Sequence, residues 1–367
     1  MKIVGIICEY NPFHNGHIYH IEKIKERYPD SLIILCLSGY FMQRGDISIL
    51  SKEEKIKIAL DNNVDLVVEL PFVFASESAD TFAEAATIIL SHLKVDTIIF
   101  GSESNDITNL EDIAKKQLED KFSDKLKHSL KEGVNFPTAL NKALGINISS
   151  PNDLLGISYI KSILKNNLNI KYECIKRTNN YLDNDSNEDI VSASNIRLKY
   201  KNGIDITKYI NYDKEFKNIN EELLFNLIKY KVITDNNLSK YLTVDEGIEY
   251  KIIKEINKSN NIEELIMNIK SKRYTYNRIK RMLIHILIGL TKDDRNISFI
   301  EYVKVLGFNQ NGQEYLKKLK SRILISSKIP DTFITRKYEL IASKIYDQLT
   351  NSNTYFFEIS NKPVIKK

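Results

Sequence analysis

The sequence predicts an α/β fold: a Rossmann-like parallel sheet over residues 1–204, followed by a mainly α-helical part over residues 205–367. Three observations lead there. Short β-rich apolar runs alternate with helical patterns through the first half, as βαβ construction requires. The first of those runs passes through a tight polar loop straight into a helix-like segment. From about residue 205 onward the apolar spacing becomes mainly helical.

Taken in order, the expected strands are 3–8, 32–37, 66–69, 97–100 and 170–175. Helices are expected near 16–26, 52–61, 76–93, 111–119 and 153–165, and beyond the boundary at 221–231, 262–270 and 278–290. The boundary itself is placed near 201–208. Residues 178–188 are rich in Asn and Asp and read as a flexible loop. A parallel sheet of this kind binds ligands beyond the carboxyl ends of its strands, which directs attention to the loops that follow each run.

Composition narrows the class. With 367 residues and 43% hydrophobic content the chain is globular and long enough for two domains. Cys8, Cys36 and Cys174 lie singly in apolar runs, without the paired spacing of a zinc site or a disulfide framework, so a reducing, cytoplasmic setting is expected. No metal site is expected from the spacing of ligating residues. No apolar run has the length of a membrane span, and no export signal is read at the start. Residues 1–200 hold 23 Lys/Arg against 28 Asp/Glu, whereas residues 201–367 hold 30 against 20. The surplus positive charge therefore sits in the second half and suits a partner carrying many phosphates.

The chemistry concentrates in the first twenty residues. The run 2–8 leads through Glu9-Tyr10-Asn11-Pro12-Phe13 into His14-Asn15-Gly16-His17, where the helix begins. A helix N-terminus carries free N–H groups and a partial positive charge, and Gly16 has no Cβ to hold a polyphosphate away. His14 and His17 add donors toward charge that develops on an α-phosphate as pyrophosphate leaves, which makes them the candidate catalytic pair. His20, one turn on, either lines the same site or packs on the sheet.

Other candidates follow from position. Gly101 ends the fourth run, where a nucleotide could lie against the backbone. Asn152, in Ser149-Ser150-Pro151-Asn152-Asp153, suits either a helix cap or a contact to base or ribose. Arg177 closes the fifth run and could face phosphate. In Ile190-Val191-Ser192-Ala193-Ser194-Asn195-Ile196-Arg197, two hydroxyls and an Arg open another helix and make a second phosphate-contacting turn; a Ser N-cap is the plainer alternative. The loop Ser38-Gly39-Tyr40-Phe41-Met42-Gln43-Arg44-Gly45 offers Gln43 and Arg44 to a carboxylate or an RNA phosphate. In the second half, Lys272-Arg273-Tyr274-Thr275-Tyr276-Asn277-Arg278-Ile279-Lys280-Arg281 interleaves five cations with two aromatics, as phosphate pairing with base stacking would use. A solvated charged face is the plainer alternative.

His-x-Gly-His in this setting resembles the signature of the HIGH nucleotidyltransferase superfamily. The longer string from Glu9 to His17 resembles the bacterial tRNA(Met) cytidine acetate ligase family, as do the Gln43-Arg44-Gly45 loop and the basic segment that runs on to His285. The string from Val191 to Arg197 resembles the Ile-Ser-x-Ser/Thr-x-x-Arg motif of the superfamily, with Val191 in place of Ile. No Lys-Met-Ser-Lys-Ser string is present, which speaks against an aminoacyl-tRNA synthetase.

The resemblance implies that ATP, carried as its magnesium complex, activates acetate to acetyl-adenylate with release of pyrophosphate. The acetyl group would then pass to N4 of the wobble cytidine of elongator tRNA(Met). It implies an ATP site made of Ile7, Cys8, Glu9, Tyr10, Asn11, Pro12, Phe13, His14, Asn15, Gly16, His17, Ile18, Tyr19, His20, Gly101, Asn152, Arg177, Ser192 and Ser194. It also implies a tRNA surface that includes Lys272, Arg273, Arg278 and Arg281. The competing expectation is a metabolite adenylyltransferase that keeps AMP on its product; such an enzyme would have no obvious use for the basic second half.

Overall fold

A computed structural model describes residues 1–178, 190–295 and 300–367. The Asn- and Asp-rich loop expected at 178–188 lies almost entirely outside the described residues. Five parallel strands run side by side from one edge of a single sheet: β1 (Ile3–Cys8), β2 (Leu32–Ser38), β3 (Leu66–Leu70), β4 (Thr97–Ser102) and β5 (Lys171–Lys176). Each expected strand is present, within two residues at either end. The order along the sheet is β5-β4-β1-β2-β3, so the chain reverses direction of growth at β1, where β2 lies on one side and β4 on the other. That reversal opens the crevice in which such sheets hold ligands.

Helices α1 (Asn15–Arg27), α2 (Lys52–Asp61), α3 (Phe72–Ala75) and α4 (Ala79–His92) connect these strands. Ser51 and Glu54 close a reciprocal cap on α2: Glu54 N–H donates to Ser51 Oγ at 3.2 Å and Ser51 N–H to Glu54 Oε2 at 2.8 Å. Two buried apolar clusters cover the two faces of the sheet. Ile34, Cys36, Val68 and Ile98 belong to one, whereas Ile33, Leu35, Val67 and Ile99 belong to the other. The strict alternation along each strand is the reason the runs read as continuous apolar segments.

The second half is helical at Glu221–Thr234, Ile262–Ile269 and Tyr276–Ile288, as its periodicity predicts, with a further helix at Ile248–Ile256. It does not stay helical. Strand β6 (Tyr302–Phe308) pairs antiparallel with β3, and β7 (Leu324–Ser326) and β8 (Val364–Ile365) each pair parallel with β6. The sheet thus continues past β3 with strands from the far end of the chain, so it runs across a dividing line at residue 204. Among the described residues, no helix is long and apolar enough to cross a membrane.

Candidate active site

The loop between β1 and α1 is built by its own side chains. Tyr10 takes φ +47°, Asn11-Pro12 is cis, and Asn11 holds the neighbouring loop, accepting from Ile49 N–H at 2.9 Å while donating to Ile47 O at 3.3 Å. Phe13 is fully buried, and the rings of Tyr10, Phe13 and His17 pack against one another with centroids 4.6 to 5.4 Å apart.

His14 is the N-cap of α1 and His17 its third residue, and the two imidazoles form the cap. Gly16 N–H donates to His14 Nδ1 at 3.0 Å and His14 N–H donates to His17 Nδ1 at 3.1 Å. A ring nitrogen that accepts a backbone N–H carries no proton, so in each neutral ring the proton resides on Nε2. Burial, reinforced by Arg177 and Arg197, pushes His14 down to about 3. Burial and the neighbouring His14 hold His17 well below the usual histidine range. Both rings are therefore neutral Nε2–H donors at physiological pH.

This arrangement changes how the helix N-terminus works. The N–H groups of His17 and Ile18 bond to His14 O, and that of Gly16 to the His14 ring, so three of the expected free donors are already taken. The imidazoles stand in for them, each converting a satisfied backbone donor into an Nε2–H farther out. Gly16 has a matching reason. A Cβ there would lie 2.7 Å from His14 Cε1, so the missing side chain makes room for the capping ring rather than directly for a polyphosphate.

A cavity of about 470 Å³ opens at the carboxyl ends of β1, β4 and β5. It brings together Ile7, Cys8, Glu9, Tyr10, Asn11, His14, Gly16, His17, Tyr19, His20, Gln43, Arg44, Gly101, Asn152, Arg177, Ser192 and Ser194 from the sequence-derived set. Pro12, Phe13, Asn15 and Ile18 do not line it. Phe13 is core, Ile18 packs on the same core cluster, Pro12 is buried in the turn, and Asn15 Nδ2 donates to Lys208 O at 2.8 Å. Sequence spacing does not distinguish the loop's inward face from its outward one.

On the β4–β5 side two loops hold each other. Glu103 accepts from Asn152 Nδ2 at 2.5 Å and from Asp153 N–H at 3.1 Å, while Asp153 accepts from Ser102 Oγ at 2.5 Å. Asn152 thus faces the cavity but gives its amide to Glu103, and Ser150 is the helix cap. Arg177 Nε lies 3.9 Å from Glu103 Oε1 and has no hydrogen-bond partner among the described residues. Ser192 caps the helix Ala193–Lys201, its Oγ accepting from Asn195 N–H at 3.2 Å, so it is both a cap and part of the cavity wall. His20 Nε2 is also without a partner among the described residues, and burial with Arg177 nearby brings its ring down to about 4.

On the β2 side, Asp46 is a residue that the sequence reading does not select, whereas Arg197 is read there as part of a phosphate-contacting helix start. Arg197 donates to Asn11 O at 2.6 Å and to Asp46 Oδ2 at 3.0 Å, and Lys280 pairs with the other oxygen of Asp46. Burial opposes ionisation of Asp46, but Lys280 and Arg197 outweigh it and hold the carboxyl below the usual range. Asp46 follows Gln43-Arg44-Gly45, but the cations that hold it, Arg197 and Lys280, lie 151 and 234 residues away, so only the fold brings them to it. Gly45, with φ +79°, lies against the backbone of the basic helix, where a Cβ would come within 2.8 Å of Arg281 N.

The basic segment is divided in two by the fold. Lys272 and Arg273 are exposed, with Arg273 paired to Glu246. Arg278 covers the ring of the buried Tyr274 at 4.2 Å, so that aromatic cannot serve as a stacking platform. Tyr276 donates to Glu263 at 2.5 Å. Lys280 and Arg281 turn inward, Arg281 donating to Gln43 O at 3.2 Å, so Arg281 fastens the helix to the cavity loop instead of presenting a free surface cation. His285 is fully buried, its Nε2 2.8 Å from Ser76 O, and belongs to the interior.

Comparison with known proteins matches this architecture. Residues 1–361 match the family described as HIGH Nucleotidyl Transferase. A tRNA(Met) cytidine acetate ligase of Clostridium novyi (strain NT) is 38% identical, with 100% of both chains covered. One from Geobacillus sp. (strain WCH70) is 36% identical over 99% of this chain and 96% of its own. The crystal structure of Thermotoga maritima TmcAL bound with alpha-thio ATP superposes with a TM-score of 0.88 at 26% identity, covering 100% of each chain. The chain belongs to the HIGH nucleotidyl transferases, and among them to the tRNA(Met) cytidine acetate ligase family.

Proposed function

We propose that this protein uses ATP to activate acetate and transfers the acetyl group to N4 of the wobble cytidine of elongator tRNA(Met), in the cytosol. The names of its relatives and the ATP analogue bound to its structural neighbour support the reading. The observation that carries it is the pair of neutral imidazoles, His14 and His17, capping α1 inside one cavity with Arg177.

In the first step an acetate oxygen attacks the α-phosphorus of ATP, the bond to the pyrophosphate oxygen breaks, and pyrophosphate leaves. Charge grows on phosphoryl and leaving-group oxygens, and Nε2–H donors aimed at it act where water is excluded. A neutral donor suits this task because it stays put at every pH the cell offers. Arg177, half-buried and with an unused Nε–H among the described residues, is a cation available to phosphate. Acetate is already ionised and needs no base.

Among the described residues, the three carboxylates close enough to share a cation are Glu69, Glu339 and Glu358, and Lys52 already occupies that position away from the cavity. Among the described residues the cavity presents no such set of three; magnesium would arrive with the triphosphate and neutralise part of its charge. The part over 1–204 would carry out the chemistry and the part over 205–367 would bind tRNA, with Lys272, Arg273 and Arg278 as the accessible cations.

Incubation with ATP, labelled acetate and tRNA tests the reading. Label on tRNA, with AMP and pyrophosphate formed in equal amount, is expected. An adenylylated small molecule with no label on tRNA would overturn it.

A further inference from the structure

We propose that Glu9 accepts the proton in the acetyl-transfer step, its Oε2 receiving it from the cytosine N4 amine as that nitrogen attacks the acyl carbon. This deepens the tRNA-acetylation reading and rests on it. The amine of cytosine is a poor nucleophile because its lone pair is delocalised into the ring, so removing its proton as the new bond forms lowers the barrier. The N4–C bond forms and the acyl C–O bond to AMP breaks. AMP leaves as an anion, and the proton passes from N4 to Glu9 and then to solvent.

Position is the first argument. Glu9 follows the last residue of β1, at the sheet's reversal point, and lines the cavity beside the histidine loop. Gln43 N–H binds its Oε1 at 2.6 Å, and Oε2 takes no hydrogen bond from the described residues. The loop that holds Glu9 also receives the basic helix, through Arg281 to Gln43 O and Lys280 to Asp46. RNA gathered on that helix would reach the cavity next to Glu9, across from the Gly101, Asn152 and Arg177 side.

Elimination is the second argument. Among the described residues that line the cavity, the carboxylates are Glu9 and Asp46, and Asp46 is held by Lys280 and Arg197. His14 and His17 spend Nδ1 on backbone N–H groups and carry their proton on Nε2, so neither ring has a nitrogen free to accept. His20 is a weak base beside Arg177. Burial drives the Cys8 thiol up to about 12 and keeps it protonated.

The electrostatics agree. Burial lifts Glu9 above the usual carboxylate range, Asp46 adds to the lift, and the Gln43 N–H, Lys55 and Arg44 oppose it without cancelling it. Cys8 and Tyr159 also face it, both neutral. A carboxylate with a raised pKa is a stronger proton acceptor than one in water, and it remains ionised above that value.

The test supplies preformed acetyl-adenylate and tRNA to the full-length protein and follows acetyl transfer in a single turnover across the whole pH range in which the protein stays folded. For the wild type the rate should climb with pH as Glu9 ionises, then level off. Glu9→Gln should fall about 100-fold or more and lose the slope, within the range assigned to general bases. Glu9→Asp, with its carboxylate drawn back, should transfer slowly but keep the slope. A Glu9→Gln rate within tenfold of wild type, a Glu9→Gln rate that keeps the slope, or a Glu9→Asp rate without one would each overturn the role of Glu9. Failure of the wild type to transfer at all would instead overturn the tRNA-acetylation reading.

Discussion

Two groups of buried charge lie on either side of the loop 39–46, and they are built in opposite ways. Beneath β3 and β6, Lys52 Nζ sits 2.6 Å from Glu69, 3.0 Å from Glu339 and 2.5 Å from Glu358, while Lys304 and Arg336 reach Glu358 at 2.5 and 2.8 Å. Every charge there meets a counter-charge. In the cavity, by contrast, Arg177 Nε, His20 Nε2 and Glu9 Oε2 have no hydrogen-bond partner among the described residues, and the two capping histidines keep Nε2–H donors. The closed group ties together α2, β3, β6 and the C-terminal helices Ile334–Thr350 and Tyr355–Ser360. The open group has donors and acceptors left for a ligand. Neutralisation of charge is what separates the two: in the closed group Glu69 Oε2 and Arg336 Nε also lack hydrogen-bond partners among the described residues, but each of those side chains still meets a counter-charge.

The sharpest way to break that contrast is to open the closed group. Lys52→Ala leaves three buried carboxylates around an empty position and should lower stability by about 3–5 kcal/mol, read from the denaturant midpoint. A loss under 1 kcal/mol would mean that the network is not what holds the edge of the sheet. Next comes the open group. His17→Ala removes one Nε2–H donor and should slow acetate-dependent exchange of pyrophosphate into ATP by about 100- to 1000-fold. Because His17 also accepts the His14 N–H, the same variant should lose about 1 kcal/mol of stability, far less than the Lys52 variant. Equal losses of stability in the two variants would erase the distinction.

Acid sharpens the contrast from another direction. His14 and His20 have folded values of about 3 and 4, and His17 lies well below its ordinary value, whereas in the unfolded chain each is near 6.5. Protons therefore bind the unfolded state more readily, so stability present above pH 6.5 should drain away as pH falls from there toward 4. His17→Asn, which removes one such group, should shift the onset to lower pH. An unchanged onset would argue that these rings are not buried as neutral groups.

The smallest effect concerns the second half. Arg273→Glu with Arg278→Glu should weaken tRNA binding roughly tenfold and reduce its salt dependence, with a much smaller change in pyrophosphate exchange. Comparable losses in both would contradict a division of labour between the two halves.

The parallel core and the site were legible to different degrees. Strands β1 to β4 announce themselves because each is largely buried on both faces, and β5, a partly exposed edge strand, is still marked by Cys174 and Ile175; each strand follows the previous one through helix, so local patterning is enough. β6 was not read, for it carries Lys304 in the middle of its apolar run and finds β3 some 240 residues earlier in the chain. Only the spatial partner, Glu358, makes a buried lysine there intelligible. His14 and His17 stood out by spacing, yet that they cap the helix with Nδ1, and so reserve Nε2, is a matter of geometry alone. The basic segment misled in part for the same reason: sequence displays Arg281 and Tyr274 as a cation and an aromatic, but not that one is fastened to Gln43 O and the other covered by Arg278.

The central claim is that the two capping imidazoles face the phosphates of ATP as neutral donors. A crystal structure with a non-hydrolysable ATP analogue tests it directly. The account predicts His14 Nε2 and His17 Nε2 within hydrogen-bond distance of phosphate oxygens, with both Nδ1 atoms still accepting backbone N–H groups. An analogue bound with its phosphates away from both rings would contradict it.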